Sequence, residues 1–116
     1  MFAVTLLVAA CSGGADDPVQ TVEDYLQAKV DGDGDALQGL LCSEMEADLE
    51  RETHSFESVS GVNIEGMSCE FDDSTNTVRC QGKIVALYGT EETEFPLTNY
   101  RVVEEDGQWR WCGEAP

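Results

Sequence analysis

Positive charge is what this chain has least of. Lys and Arg together number 6 against 24 Asp and Glu, for a formal charge of −18, and Lys29 and Lys83 are the only lysines. A nucleic-acid partner needs a basic footprint to meet its phosphates, so that class is excluded. Electrostatic docking on anionic lipid is excluded for the same reason. Histidine is as scarce: His54 stands alone, and no C-x-x-C pair accompanies it. A metal centre built on Cys and His spacing therefore lacks its ligands. There is no Gly-x-Ser-x-Gly elbow, so the common nucleophile motif is missing too. His54 reads as a surface or helix-cap residue. Long apolar runs are also absent. The longest covers residues 1–10 and is too short to span a bilayer.

What is present suffices for one compact domain. The chain has 116 residues, 41% of them apolar, with four Phe, three Tyr and two Trp. Wholesale disorder is not expected at that apolar content, despite the charge. The acidic excess reads first as a solvating surface suited to solubility or high salt, ahead of attraction for cationic partners.

The N-terminus reads as an address. Phe2, Val4, Leu6, Leu7 and Val8 precede small Ala9 and Ala10, and then Cys11. That pattern suits the hydrophobic region of a secretory signal. The stretch Leu7-Val8-Ala9-Ala10-Cys11 resembles a bacterial lipobox, although no basic residue precedes it. The resemblance implies that residues 1–10 are a signal peptide and that Cys11 becomes the mature, lipidated N-terminus. Residues 11–17 would then be the anchor and its flexible tether, and residues 18–116 the domain. It also implies an extracytoplasmic location on the cell membrane, with fatty acyl chains such as palmitate as the anchor.

Removing Cys11 leaves Cys42, Cys69, Cys80 and Cys112, an even number, which in an exported domain reads as two disulfides. Three connectivities are open. A tight turn at Ser74-Thr75 favours one of them. It pairs Cys69 with Cys80, Phe71 with Val78, and Glu70 with Arg79. Cys42 and Cys112 remain, closing a loop of about 70 residues worth ~4 kcal/mol on the loop-entropy model.

Asp17, Pro18 and Gln20 form a helix start. Val19, Val22, Leu26 and Val30 then recur at helical spacing, predicting a helix over 18–31. Asp31, Asp33 and Asp35 alternate like a calcium loop, but the places that need Gly and a bidentate Glu hold Ala36 and Cys42. They read as a turn and cap. Leu37, Leu41, Met45 and Leu49 form a second stripe, joined by Leu40, Cys42 and Phe56. Ser43 can cap a fresh helix, so one bent helix and two short ones both fit. Residues 62–71, 77–88, 92–104 and 108–113 read as four strands joined by short turns, hence antiparallel. Pro96 moves the start of the third to an edge or bulge. Phe71, Val78 and the paired cysteines share one face, whereas Val62, Ile64, Val85 and Leu87 share the other. A bulge in the hairpin reconciles them. If Cys112 faces the helices, Trp109 and Trp111 face away and need a cover, unless a bulge returns them to the core.

The order is α+β: two to three N-terminal helices on a curved four-stranded antiparallel sheet. Residues 19–28, the turn at 31–37, and Tyr100-Arg101-Val102-Val103 with Asp106-Gly107-Gln108-Trp109-Arg110 carry a resemblance to the nuclear transport factor 2-like superfamily. Those proteins are cones, shared by ketosteroid isomerases and small exported proteins. The resemblance implies a pocket between helices and sheet, with Tyr25, Leu26, Met45, Tyr88, Tyr100 and Trp111 as its candidate lining, joined by Val22, Leu41 and Ile84. A ketosteroid-isomerase-like site also needs a buried carboxylate. Glu65, Glu70, Glu92 and Glu94 are the strand candidates, and they read as solvated. No catalytic residue, cofactor or metal is assigned; a non-enzymatic binding or interaction domain is the first reading, with a small enzyme using the cone pocket and a structural dimerisation module as the alternatives. The expected partners are the membrane through Cys11 and a small apolar ligand, a protein or a second copy of the chain.

Overall fold

A computed structural model describes residues 17–116; the expected signal segment, Cys11 and most of the expected tether lie outside the described residues. Helix α1 runs Pro18–Asp31. The Asp17 side chain accepts from Val19 N at 2.9 Å, and Pro18 fills the first turn, where its missing N–H is no loss. Gly32 ends the helix at φ 67°, a left-handed conformation that suits glycine. Thr21, Val22, Tyr25, Leu26 and Ala28 face inward. Helix α2 (Gly34–Leu40) starts on Asp33, whose carboxylate accepts from Ala36 N at 3.2 Å. The alternating aspartates are thus used as a turn and cap.

The second apolar stripe breaks into pieces. Leu41 and Cys42 are extended, a 3₁₀ turn covers Ser43–Asp48, and α3 covers Leu49–Thr53. The extended pair lies beside the last strand, with Cys42 N donating to Trp111 O at 2.9 Å. Ser43 does not cap the new turn. Its hydroxyl instead donates to Glu105 at 2.9 Å. Continuing the helix through Cys42 would forfeit this edge contact and the reach to Cys112.

The sheet has five antiparallel strands: β1 (Ser60–Asp72), β2 (Thr77–Tyr88), β3 (Glu91–Pro96), β4 (Asn99–Glu105) and β5 (Gln108–Ala115). The expected third strand is two. β3 pairs with the far half of β2, Lys83–Tyr88, whereas β4 pairs with its near end, Thr77–Arg79. Pro96 ends β3 because it has no N–H to continue a ladder. Leu97 and Thr98 then bridge to β2 through Gly82 and Cys80.

The β1–β2 register pairs Cys69 with Cys80, Glu70 with Arg79 and Phe71 with Val78. The turn is longer than two residues, because the ladder stops at Asp72 and Thr77. Arg79 bonds Asp72 at 2.6 Å rather than the facing Glu70. A register shift lies between Glu65 and Ser68, opposite Gly82. It flips the parity of β1, so Val62 and Ile64 join Cys69 and Phe71 against the core. Val85 and Leu87 do not join them: the β2 residues in that cluster are Val78, Cys80 and Ile84, whereas Val85, although buried, and exposed Leu87 alternate to the opposite face. A second shift, between Tyr100 and Val102, bends β4 against β5. Trp111 and Cys112 are consequently both buried, at 3% and 2% exposure, and Trp109 is half-buried against Phe71. Neither tryptophan needs an outer cover.

Two disulfides close the structure. Cys69–Cys80 crosses the hairpin with Cα atoms 4.1 Å apart, and Cys42–Cys112 joins the break after α2 to β5 across 5.3 Å.

Candidate functional site

The interior of the cone is filled by side chains. Tyr25 from α1 stacks on Trp111 from β5, with ring centroids 4.0 Å apart and planes 11° off parallel. Tyr100 from β4 lies 6.4 Å from Tyr25, and its hydroxyl accepts from Thr98 N at 3.2 Å. Leu26 is buried beside them, and Met45 packs at the margin. Five of the six residues expected to line a pocket therefore pack in or against one core. Tyr88 is elsewhere. It sits at the end of β2, 45% exposed, and contacts Phe95 instead.

A polar cluster is set into this core. The Tyr25 hydroxyl donates to Glu52 Oε1 at 2.5 Å, and Lys29 Nζ lies 3.2 Å from the same oxygen. Lys29 is one turn beyond Tyr25 on α1, so its ammonium also reaches that hydroxyl at 3.3 Å. Glu52 is only 7% exposed, and these two donors compensate its charge. Burial, followed by the hydrogen bond and charge of Glu52, pushes the Tyr25 phenol far above its ordinary range. Burial raises Tyr100 as well. Glu52 and Lys29 belong to no motif in the sequence, and the carboxylate candidates there lie on the strands. A signal exists nonetheless: Glu52 continues the stripe of Met45, Leu49 and Phe56 at helical spacing. The strand candidates are peripheral. Glu94 pairs with Lys83 at 2.8 Å, and Glu65, Glu70 and Glu92 face solvent.

Replacing Tyr25 with Phe is expected to destabilise the fold by about 2 kcal/mol, because the buried Glu52 carboxylate then keeps only half-buried Lys29 as its donor. Urea unfolding measures this. The phenols also set an alkaline limit. Tyrosine in the unfolded chain ionises near pH 10, while folded Tyr25 and Tyr100 stay protonated above it. Their contribution is complete below pH 10 and declines as pH rises beyond it. The urea midpoint should fall above about pH 10, and less steeply in the Tyr25→Phe chain.

An open cleft adjoins the cluster. It holds about 250 Å³ between the end of α1 and the turn after α3, with Lys29, Asp31, Thr53, His54, Phe56 and Glu57 on its walls. His54 follows α3 as its C-cap residue. Its Nδ1 lies 2.6 Å from Glu57 and its Nε2 3.4 Å from Glu50. Phe56 continues the wall outward to Phe95, 5.8 Å between rings, and Phe95 to Tyr88, 6.3 Å. Two further hollows, of about 240 and 210 Å³, lie at Gln38, Leu41, Glu46 and Leu49 and on the hairpin at Ser68, Glu70, Arg79 and Gln81. Neither includes an aromatic side chain.

Cys42, Cys112 and Glu44 bring ligand-type atoms within 4.8 Å of one another, but the two sulfurs are bonded to each other. A disulfide offers no thiolate to a metal. No helix among the described residues is long and apolar enough to cross a membrane.

Helices packed on one side of a bulged five-stranded antiparallel sheet define a nuclear transport factor 2-like fold. A solved designed protein titled as an Rd1NTF2_05 variant is similar, with a TM-score of 0.59 and 15% identity over 84% of this chain and 98% of its own. No family model matches the chain, and no curated protein sequence matches it.

Proposed function

We propose that this chain is an exported, lipid-anchored binding domain without catalytic activity. The observation that carries the reading is the pair of disulfides, which uses Cys42, Cys69, Cys80 and Cys112 and does not involve Cys11. Bonds of this kind persist in oxidising compartments outside the cytoplasm. Cys11 then has the sequence context of a lipidation site and the tether to go with it. The fold supports the binding half, because cones of this type enclose or border ligand sites. The buried polar groups support the non-enzymatic half. Glu52 Oε1 is held by both Tyr25 and Lys29, and the stacked Trp111 closes the space beside Tyr25. A general base needs a reachable proton to abstract, and this carboxylate is engaged inside the core.

Feeding labelled palmitate to a bacterium that expresses the full chain tests the anchor. The wild-type chain is expected to take up label and enter the detergent phase of a Triton X-114 extract. Cys11→Ser is expected to do neither. Equal labelling of both chains would overturn the reading.

A further inference from the structure

We propose that the cleft between α1 and α3, with its aromatic lip, binds a small organic cation: an ammonium group carried on an apolar body. This deepens the binding reading above and rests on it. The argument begins with exposure. Among the described residues the large hydrophobics left exposed are Leu87, Tyr88 and Phe95, all on the β2–β3 arm. Tyr88 and Phe95 connect through Phe56 to the cleft wall, so the cavity and the exposed rings form one continuous surface.

Charge then selects among ligands. Lys29 is the cationic side chain on the cleft wall apart from His54, and its ammonium is already matched by Glu52. Both nitrogens of His54 face carboxylates, Glu57 and Glu50. Asp31 and Glu57 therefore leave the cleft negative. The end of α1 adds the negative pole of a helix dipole. Glu91, paired with Tyr88 on the same face as Phe95, carries that sign to the lip. A carboxylate or sulfate ligand meets repulsion there, as does a second copy presenting the same acidic face. An ammonium meets Asp31 and Glu57, while its apolar part covers the rings and gains cation–π attraction from them.

The test is a titration of the full chain carrying Cys11→Ser, which removes the lipid and leaves the cleft untouched. Benzyltriethylammonium, tetramethylammonium, benzyl alcohol and phenylacetate are each followed by amide chemical shifts. Benzyltriethylammonium is expected to bind about tenfold more tightly than the other three. Its shifts should be confined to residues 29–32, 53–57, Tyr88 and Phe95. Phe95→Ala and Glu57→Gln should each weaken it severalfold; Glu57 is exposed and Phe95 lies on the short β3 strand outside the buried core, so the fold should survive either change. Shifts scattered over surface carboxylates would mean general attraction to the acidic chain and would overturn the proposal. Phenylacetate or benzyl alcohol binding equally well at these residues would also overturn it, yet leave the binding-domain reading standing. Absence of palmitate labelling with the titration intact would overturn the lipid anchor and leave the cation site standing.

Discussion

Replacing Cys42 and Cys112 with Ala should lower stability by about 4 kcal/mol, the largest loss expected from removing one covalent link. The bond joins residues 70 apart in sequence, so without it the unfolded chain recovers the freedom of a long loop. It also pins the extended Leu41-Cys42 segment against β5, where the two cysteines are 0% and 2% exposed. For a domain of this size, the expected fall in Tm is roughly 15–30 °C. The hairpin bond serves as the internal comparison. Cys69 and Cys80 are 11 residues apart and already held by strand pairing, so removing them should cost at most about 3 kcal/mol. Paired thermal melts of the two double variants measure the difference. Equal losses would show that loop closure is not what the long bond supplies.

Gly82→Ala should cost about 3 kcal/mol or more, because it adds a backbone clash to the strain of a positive φ. Gly82 has φ 111°, and a β-carbon there would sit 2.7 Å from the carbonyl oxygens of Glu65 and Gly66. Real side chains do not approach backbone so closely, and that backbone is the bulge itself. Relieving the clash means moving the register shift that turns Val62 and Ile64 inward. Gly89→Ala separates the two causes. Gly89 has φ 69°, and a β-carbon there would meet nothing within 4 Å, so this change carries the backbone strain alone, about 1 kcal/mol. Urea midpoints for both variants decide it: Gly82→Ala should be the more damaging by a wide margin.

The parts legible in the sequence are those fixed by local chemistry. Asp17-Pro18 and Gly32 bound α1 because a cap, a prefixed φ and a left-handed residue act within a few positions. The Cys69–Cys80 register is legible because a tight turn dictates what lies opposite what. The division of the third strand is not, since Pro96 fits an edge or a bulge of one strand as well as the end of a strand. Only the pairing with both ends of β2 shows why the chain breaks at Pro96 and Leu97. The joint burial of Trp111 and Cys112 depends likewise on a bulge and on the neighbouring Leu41-Cys42 segment. At the site, Tyr25, Tyr100 and Trp111 are legible as cone-facing residues. Their partner Glu52 is not, because a charge on an apolar stripe declares itself only when Tyr25 and Lys29 are found against it. The strand position of Tyr88 suggests a place in the pocket, but the arm carries it out to the lip beside Phe95.

Native mass spectrometry of the full chain, isolated gently from membranes, tests the central claim that this is a disulfide-stapled, anchored binding domain. The account predicts a monomer beginning at Cys11 with added lipid, four hydrogens lighter than its thiol form, and carrying a small molecule released on collisional activation. A bare subunit or dimer that starts at Met1 and keeps its thiols would contradict it.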